Sequence, residues 1–461
     1  MDATPAPAPG APDRDPHAAP SGPRATPSGP RATPAHGPRA TPANDASPQA
    51  RATPDPTSAT PVAAHATPAR DPATPAPAPA PPRATRAPST VAAPDLRDVS
   101  APGRLAGADE GISGAELGLA ARNHGLPLEA LRYDTTPPGL HYVLVHYDIP
   151  DTTADDWRLT VGGRVRRPLS LDLAALRARP AVTHRVTLEC AGNGRARLAP
   201  RPISQPWLVE AVGTADWTGV PLAALLAEAG VEEDAVEAVF TGADHGVERG
   251  TEQDYRRALP LTVAAHPARD VLVAYAMNGA PLPPQHGHPL RLVVPGWYGM
   301  ASVKWLRDIT VTDTPFTGFQ QTVAYRYRQG PDDPGEPVDV VAPRALMIPP
   351  GFPDFLSRTR VVRPGPVPLA GRAWSGHGSV VRVELSTDGE ETWTDTEVTA
   401  DPARPWAWAA WRTTWTARPG PYRLTVRATD AAGHTQPLVA PWNRGGFGNN
   451  LVQRVDVVCL T

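Results

Sequence analysis

The chain has 461 residues, including 60 prolines and 39 glycines, and its formal net charge is −3. This near-neutral charge argues against a protein that works mainly by binding nucleic-acid phosphates or anionic lipid. The sequence contains no run of about 18 apolar residues, so it predicts no membrane-spanning helix.

The N-terminal segment, residues 1–94, is rich in Pro, Ala and Thr. Its first 90 residues hold 24 of the 60 prolines, lack Phe, Trp and Tyr, and have Val62 as their one branched aliphatic residue. Such a segment buries too little apolar surface to offset the entropy lost on ordering, so we predict a disordered tail. Its recurring Arg-Ala-Thr-Pro is typical of an extended spacer, with a ligand for a proline-binding module as the alternative. The start as written has no signal-peptide pattern, so we expect a cytoplasmic protein, or a periplasmic one if the true start differs.

Residues 95–325 predict an α+β domain. Short helices are indicated at 113–124, where Ser113 and Glu116 form a capping-box pattern, and at 172–178 and 221–229. Runs rich in β-branched, aromatic or other apolar residues indicate strands at 140–149, 157–165, 183–189, 235–240, 270–275, 290–294 and 303–311. The absence of a repeating βαβ pattern and of a glycine-rich phosphate motif argues against a doubly wound nucleotide-binding fold.

Residues 326–461 have the pattern of an all-β domain. Polar and apolar residues alternate over Val380–Ser386, and a hairpin turn is indicated at Asp388-Gly389. Further strands are predicted at Tyr422–Thr429 and Arg454–Cys459. Short strands at this spacing are typical of a β-sandwich. The predicted architecture is therefore a tail, an α+β domain and a sandwich.

Only two cysteines are present, which is unlike a secreted disulfide framework. Cys459 lies in a predicted strand and is interpreted as a small strand residue. Cys190 ends a predicted strand and is followed by Ala-Gly-Asn-Gly, a tight turn that can aim backbone N–H groups at an anion. Arg195 would favour the thiolate. The residues alone leave three interpretations of Cys190 open: an inert buried thiol, a nucleophile paired with a histidine, or a soft metal ligand completing a cofactor-held site.

Three blocks of sequence resemble the sulfite oxidase family of molybdenum enzymes. They are Cys190-Ala-Gly-Asn, Asp270–Gly279, and His286–Gly296 followed by Ser302-Val-Lys-Trp. The resemblance extends over about residues 130–461. It implies a molybdopterin-binding catalytic domain over 95–325 and an immunoglobulin-like dimerisation domain over 326–461, hence a homodimer. No Cys-x-x-Cys-His motif is present, so we expect no haem in this chain and a separate electron acceptor, either a cytochrome or oxygen.

The resemblance also assigns site residues. Cys190 matches the thiolate ligand of molybdenum, Tyr275 the active-site tyrosine, and Arg195 an arginine of the substrate pocket, where Trp207 and Arg444 are further candidates. Cofactor contacts are implied for seven residues: His146, Asp244, His286, Arg291, Ser302, Val303 and Lys304.

The implied reaction is oxidation of sulfite to sulfate by oxo transfer. The sequence departs from the family at three arginine positions of the oxyanion pocket, where it has Leu144, Leu208 and Gly445. Each lost charged contact costs about 1.5–3 kcal/mol of anion binding. An oxo transfer with another substrate, such as a sulfoxide or an N-oxide, is therefore the alternative. A non-catalytic binding protein is a third hypothesis, against which the retained Cys190 and His286–Arg291 pair count.

Overall fold

The computed structural model describes residues 95–461, so the predicted tail, residues 1–94, lies outside the described residues. The helices of this part of the chain are short, and none is long and apolar enough to cross a membrane. They are α1 (Leu96–Val99), α2 (Gly114–Arg122), α3 (Leu173–Arg177), α4 (Leu222–Ala229) and α5 (Leu261–Ala264).

Strands make up most of the regular structure. In chain order they are β1 (Arg158–Gly163), β2 (Leu169–Asp172), β3 (Val182–Glu189), β4 (Val212–Pro221), β5 (Glu237–Glu248), β6 (Thr251–Pro260), β7 (Leu272–Met277), β8 (Ala280–Pro281), β9 (Arg291–Val293), β10 (Leu306–Thr312), β11 (Arg326–Tyr327), β12 (Glu336–Pro337), β13 (Arg344–Met347), β14 (Phe352–Pro353), β15 (Arg360–Val362), β16 (Gly365–Trp374), β17 (Val380–Ser386), β18 (Thr394–Asp395), β19 (Glu397–Thr399), β20 (Ala409–Ala417), β21 (Gly420–Asp430) and β22 (Gln453–Cys459).

Two mixed or antiparallel sheets build the first half. One has the order β2-β1-β10-β5-β6, with β1 and β10 parallel, and the other has the order β3-β4-β7-β8 with β9 also paired to β7. The first sheet, one face of the second sheet and α4 share one apolar core, to which Leu159, Leu225 and Phe240 contribute. Burial of each such side chain stabilises the fold by about 1.5–3 kcal/mol. The opposite face of the second sheet carries a separate cluster that includes Cys190.

The second half is a β-sandwich, as the sequence predicts. A four-stranded sheet of order β13-β16-β20-β19 faces a six-stranded sheet of order β14-β15-β22-β21-β17-β18. Their inner faces form a core that contains Trp411, Leu424 and Val457. The α+β fold class followed by a β-rich domain is thus confirmed.

The predicted capping box of α2 is present. The Ser113 hydroxyl accepts from the Glu116 amide, and the Glu116 carboxylate accepts from the Ser113 amide. The same carboxylate accepts from Nε and Nη2 of Arg201, both at 3.0 Å, and is fully buried. The Arg201 hydrogen bond, followed by the bond from the Ser113 amide, lowers the pKa of Glu116 below its usual value of 4.5 against the opposing effect of burial.

Replacing Glu116 with glutamine is expected to lower the free energy of unfolding by about 2–3 kcal/mol at pH 7. Because the folded-state pKa is depressed, the carboxylate contributes its stability above pH 4.5 and loses it as the pH falls through the folded value. The difference in the free energy of unfolding between wild type and Glu116→Gln should therefore become smaller between pH 5 and pH 3. Urea unfolding across this range measures it, and a gap that stays constant with pH would contradict the assignment.

One strand prediction is wrong. Residues 140–149 form no strand and make only an isolated bridge between Val143 and His124. Val143 and Val145 of this segment are buried in the apolar core, whereas Ile149 is exposed. Leu144 lines a cavity, and its carbonyl accepts from Lys304 instead of joining a β-ladder. Conversely, β16 and β20, the long central strands of the four-stranded sheet, had no individual prediction.

Candidate active site

Cys190 lies at the end of β3, where the chain turns sharply. The Asn193 amide donates to the Cys190 carbonyl at 3.0 Å, and Gly194 has φ +91°, a value that favours glycine. A Cβ on Gly192 would come within 2.7 Å of the Arg195 guanidinium, so this glycine lets the arginine lie against the turn. The turn thus holds a thiol and a guanidinium next to each other.

The Cys190 thiol is buried, and burial is the largest influence on its pKa, which it raises. The Arg195 charge and the indole N–H of Trp207 act in the opposite direction and favour the thiolate. That N–H has no oxygen acceptor among the described residues. Arg195 and Trp207, both assigned to the substrate pocket from the sequence, therefore lie beside the sulfur. Neither lines the cavity described next.

A cavity of about 70 Å³, which opens to solvent, lies over Cys190. Seven of the residues assigned from the sequence line it: His146, Cys190, Asp244, His286, Arg291, Ser302 and Lys304. Val303 is buried in the apolar core behind the cavity. Sequence blocks far apart in the chain thus converge on one site.

The cavity has two buried cations. Arg291 donates to the backbone carbonyls of Leu292, His286 and Ser302, and burial lowers its pKa to about 10. Lys304 Nζ donates to the carbonyls of Leu144 and Gln285 at 2.7 and 3.0 Å, and burial lowers its pKa to about 7. In the described part of the chain their hydrogen bonds go to neutral carbonyl oxygens. Buried charge without a bound counter-charge is costly, so this end of the cavity suits an anionic ligand group.

Three polar atoms of cavity-lining residues lack a hydrogen-bond partner within residues 95–461. They are Oδ1 of Asp244 and Nε2 of both His141 and His286. Burial raises the pKa of Asp244 to about 6 and lowers the pKa of His141 and His286 to about 4 and about 2. Unpaired buried polar atoms cost free energy that a polar ligand recovers. The thiol, the two cations and these three atoms together fit a sulfur-ligated metal carried by a polar, phosphorylated pterin.

The structure places Tyr275 away from the cavity. Along β7, Leu272 and Ala274 face the cluster that contains Cys190, whereas Val273 and Tyr275 face the opposite core because successive strand residues alternate. The Tyr275 ring packs beneath the Arg177 guanidinium, 5.5 Å from its centroid, and does not line the cavity.

Three other tyrosines line the cavity: Tyr142 from the segment before β1, Tyr255 from β6 and Tyr325 from the chain entering β11. Burial, the largest effect, and the charge of Cys190 raise the pKa of Tyr325, so its hydroxyl keeps its proton and can donate a hydrogen bond. The Tyr325 ring packs against Phe447 at 5.1 Å. Tyr325 lies in a segment without clear periodicity at the edge of the predicted domain, and no sequence signal singled it out.

The three residues that stand where the family has arginines have different surroundings. Leu144 lines the cavity, and Leu208 is exposed. The Gly445 carbonyl accepts from Nε of Arg195 at 3.1 Å. Arg444 is half-buried, and only its backbone makes a hydrogen bond in the described residues, to the Arg328 carbonyl.

A group of contacts from the sandwich, absent from the sequence analysis, holds the Cys190 turn. Glu189 is buried, its Oε1 lies 2.8 Å from Nε of Arg344, and its Oε2 accepts from the Trp374 indole at 2.8 Å. Arg344 also donates to the Asn449 carbonyl, and Asn449 Nδ2 donates to the Gly194 carbonyl at 2.8 Å. Residues of the second half therefore fix both ends of the turn that presents the thiol.

Comparison with known proteins agrees with this geometry. The family model of the oxidoreductase molybdopterin binding domain matches residues 146–320, and that of the Mo-co oxidoreductase dimerisation domain matches residues 351–459. Sulfite oxidase of Gallus gallus is 37% identical over 340 residues, which cover 68% of this chain and 70% of that protein. The chain belongs to the sulfite oxidase family of molybdopterin oxidoreductases.

Proteins similar to this chain carry the names of different enzymes. NADH nitrate reductase 2 of Nicotiana tabacum is 32% identical over 357 residues, which cover 70% of this chain and 39% of that protein. The sulfane dehydrogenase SoxCD of Paracoccus pantotrophus has a TM-score of 0.62 and 28% identity, over 72% of this chain and 82% of that chain. The chain is therefore an oxidoreductase with a molybdenum cofactor, and its dimerisation domain supports a homodimer.

Proposed function

We propose that this enzyme oxidises sulfite to sulfate and passes the electrons to a separate acceptor, a cytochrome or oxygen. Sulfite and water give sulfate, two protons and two electrons. When bound, the molybdenum cofactor supplies the two-electron oxo-transfer chemistry. The protein holds the cofactor and binds and positions the anion.

The observation that carries the proposal is the position of Arg195 beside Cys190. Nε and Nη1 of Arg195 donate to the carbonyls of Gly445 and Gln205, at 3.1 and 3.4 Å. Its Nη2 has no acceptor in the described part of the chain. Although Arg195 does not itself line the cavity, this Nη2 would donate to an oxyanion bound at the Cys190 end of it. A charge-assisted hydrogen bond of this kind, made by a buried arginine, favours an anionic substrate over a neutral one.

The residues of the cavity divide into a set that would hold the cofactor and a set that would contact the substrate. The Cys190 thiolate would ligate the metal, and Arg291 and Lys304 would bind the phosphate of the pterin. Tyr325, protonated and close to Cys190, would donate a hydrogen bond to substrate or to the developing product.

Replacing Tyr325 with phenylalanine is expected to lower kcat/KM for sulfite about 10- to 100-fold, the effect of one hydrogen bond to a charged group. Tyr275→Phe is the matched control, because Tyr275 packs against Arg177 on the other face of β7. Steady-state kinetics of both variants, at equal molybdenum content, measure the difference. A larger loss of kcat/KM in Tyr275→Phe than in Tyr325→Phe would contradict the placement of Tyr325 at the substrate.

A second candidate is oxo transfer with a neutral substrate such as a sulfoxide or an N-oxide. It is favoured by Leu144, an apolar residue on the cavity wall, and by Gly445, which offers a carbonyl acceptor instead of a cation. Fewer cations weaken the preference for an oxyanion.

Steady-state kinetics separate the two candidates. The molybdenum-loaded protein is assayed with sulfite and ferricyanide, and in parallel with dimethyl sulfoxide and a reduced viologen. The proposal expects kcat/KM to be larger for sulfite. Turnover of the neutral oxide with no sulfite-dependent reduction of ferricyanide would overturn it in favour of the second candidate.

A further inference from the structure

A buried arginine lies next to the candidate active site without an acidic partner. Arg257, in β6, is 2% exposed. Its Nη1 donates to the Gln320 carbonyl, and its Nε has no hydrogen-bond partner within residues 95–461. Burial lowers the pKa of Arg257 below its usual value, but an arginine stays protonated at neutral pH. A buried cation without a counter-charge costs stability, so this arginine is not explained by its contribution to the fold.

The Arg257 guanidinium contacts the ring of Tyr325. Its Cζ lies 5.5 Å from the Tyr325 ring centroid, and the Tyr325 ring lies 5.1 Å from the ring of Phe447. Phe447 in turn packs against Arg195, whose Cζ lies 5.1 Å from the Phe447 centroid. We call these four residues the arginine–aromatic stack. The stack connects the tyrosine that lines the cavity to the arginine beside Cys190.

Arg257 also fixes the backbone that precedes Tyr325. Residues Gln320–Ala324 form a single π-helical turn, which ends immediately before Tyr325. The hydrogen bond from Arg257 to the Gln320 carbonyl attaches the start of this turn to β6. One side chain therefore orients Tyr325 in two ways, through the turn and through the ring.

The charge of Arg257 has a chemical consequence for the Tyr325 hydroxyl. A nearby cation stabilises the partial negative charge that builds on a phenol oxygen when its hydroxyl donates to an anion. Both side chains are buried, so solvent screens this interaction little. Arg257 thus makes Tyr325 a stronger donor to an oxyanion, at a cavity where Leu144 occupies the position of one of the family's arginines.

We propose that Arg257 is a positioning residue for oxyanion recognition, which holds the Tyr325 hydroxyl at the cavity wall and strengthens it as a donor. Arg257 does not line the cavity, so it acts through Tyr325 and not by contact with the substrate. It supplies from behind the ring part of the positive charge that Leu144, Leu208 and Gly445 do not provide. Because an anionic substrate is assumed, this role of Arg257 rests on the proposed function.

The test is the affinity of the molybdenum-loaded protein for sulfate, measured by isothermal titration calorimetry, together with kcat/KM for sulfite. Arg257→Gln removes the charge, while its amide can still donate to the Gln320 carbonyl. We expect the sulfate dissociation constant to rise about 10-fold or more, and kcat/KM to fall by a similar factor. Arg257→Lys keeps the charge and should stay within about threefold of the wild type.

The matched control is Arg256→Gln. Arg256 is the exposed neighbour of Arg257 in β6, and its Cζ lies 5.0 Å from the ring centroid of Phe316. This variant should bind sulfate as the wild type does. An Arg257→Gln protein that also binds sulfate with wild-type affinity, or an Arg257→Lys protein as defective as Arg257→Gln, would overturn the proposal.

A double-mutant cycle tests whether Arg257 acts through Tyr325. In the Tyr325→Phe background no hydroxyl remains, so adding Arg257→Gln should change the sulfate dissociation constant by no more than about threefold. An effect of Arg257→Gln that is equally large in both backgrounds would show that Arg257 acts independently of Tyr325.

Stability separates this role from a purely structural one. Arg257→Met has a similar length and removes a buried charge that has no acidic partner, so its free energy of unfolding should stay close to the wild-type value. Its sulfate affinity should nevertheless fall as in Arg257→Gln. Failure of both variants to fold would identify Arg257 as a structural residue and overturn the proposal.

The two measurements also separate this role from the proposed function. A wild type that oxidises sulfite, with unchanged sulfate affinity in Arg257→Gln, would overturn the role of Arg257 alone. A wild type that binds sulfate, with weakened affinity in Arg257→Gln, but oxidises no sulfite would overturn the proposed function and support the role of Arg257.

Discussion

Cys190→Ser is expected to remove nearly all sulfite turnover and most of the bound molybdenum. A hydroxyl is a poor ligand for a soft, sulfur-held metal, and at neutral pH it stays protonated. Changes to the outer partners of a metal ligand cost about 10- to 100-fold, and loss of the ligand itself should exceed that. Elemental analysis of molybdenum, fluorescence of the oxidised pterin and the sulfite assay together measure the effect.

Cys459→Ser is the matched control for this experiment. Cys459 is buried in the sandwich core, where its Sγ lies 3.6 Å from the Leu460 carbonyl. Its replacement should cost some stability and leave molybdenum content and turnover per molybdenum unchanged. A Cys190→Ser protein that keeps wild-type molybdenum and turnover would refute the role of Cys190.

Arg344→Leu should have the second largest effect, about 3–5 kcal/mol of lost stability. The substitution removes the cation beside Glu189, and both side chains are almost completely buried. Breaking a buried pair by removing one partner leaves an uncompensated charge, which costs more than the pair itself contributes. The variant also loses the hydrogen bond to Asn449, so the turn after Cys190 becomes less constrained. Urea unfolding monitored by tryptophan fluorescence gives the free-energy change.

Arg412→Leu provides the comparison. Arg412 forms an ion pair with Glu397 at 2.6 Å, but the side chains are 72% and 58% exposed. Exposed pairs contribute about 0–1 kcal/mol, so this variant should be nearly as stable as the wild type. Equal losses in Arg344→Leu and Arg412→Leu would show that the Glu189 pair is not the source of stability.

The capped helix α2 and the alternating strands of the sandwich could be predicted because local chemistry dictates them. Ser113 and Glu116 satisfy each other across one helical turn. Apolar residues of the two alternating strands, such as Leu385 in β17 and Leu424 in β21, lie in the sandwich core. Residues 140–149 were wrongly predicted as a strand because an irregular segment packed against the core has the same apolar residues as a strand within a sheet. Only the tertiary context, here the Lys304 bond to the Leu144 carbonyl, separates the two.

The candidate site was predictable where short blocks of sequence carry it. Cys190, His286, Arg291 and Lys304 lie in such blocks, and the structure brings them to one cavity. The motif around Tyr275 matched that of the family, but the alternation of side chains along β7 directs its ring away from the cavity. Tyr325 reaches the cavity from a segment of irregular backbone, for which periodicity gives no guide.

The contacts of Arg344 with Glu189 could not be predicted for a different reason. They join residues of two sheets that are far apart in sequence, and nothing in the pattern of either segment points to the other. Their consequence is that the sandwich helps to hold the turn after Cys190.

The most direct test of the proposed function is the stoichiometry of sulfite oxidation by the molybdenum-loaded protein. Sulfate formed and ferricyanide reduced are measured in the same anaerobic reaction. Oxidation by two electrons predicts two ferricyanide ions reduced for each sulfate formed, with no sulfate from the Cys190→Ser protein. A fully molybdenum-loaded enzyme that forms no sulfate and reduces no ferricyanide would contradict the account.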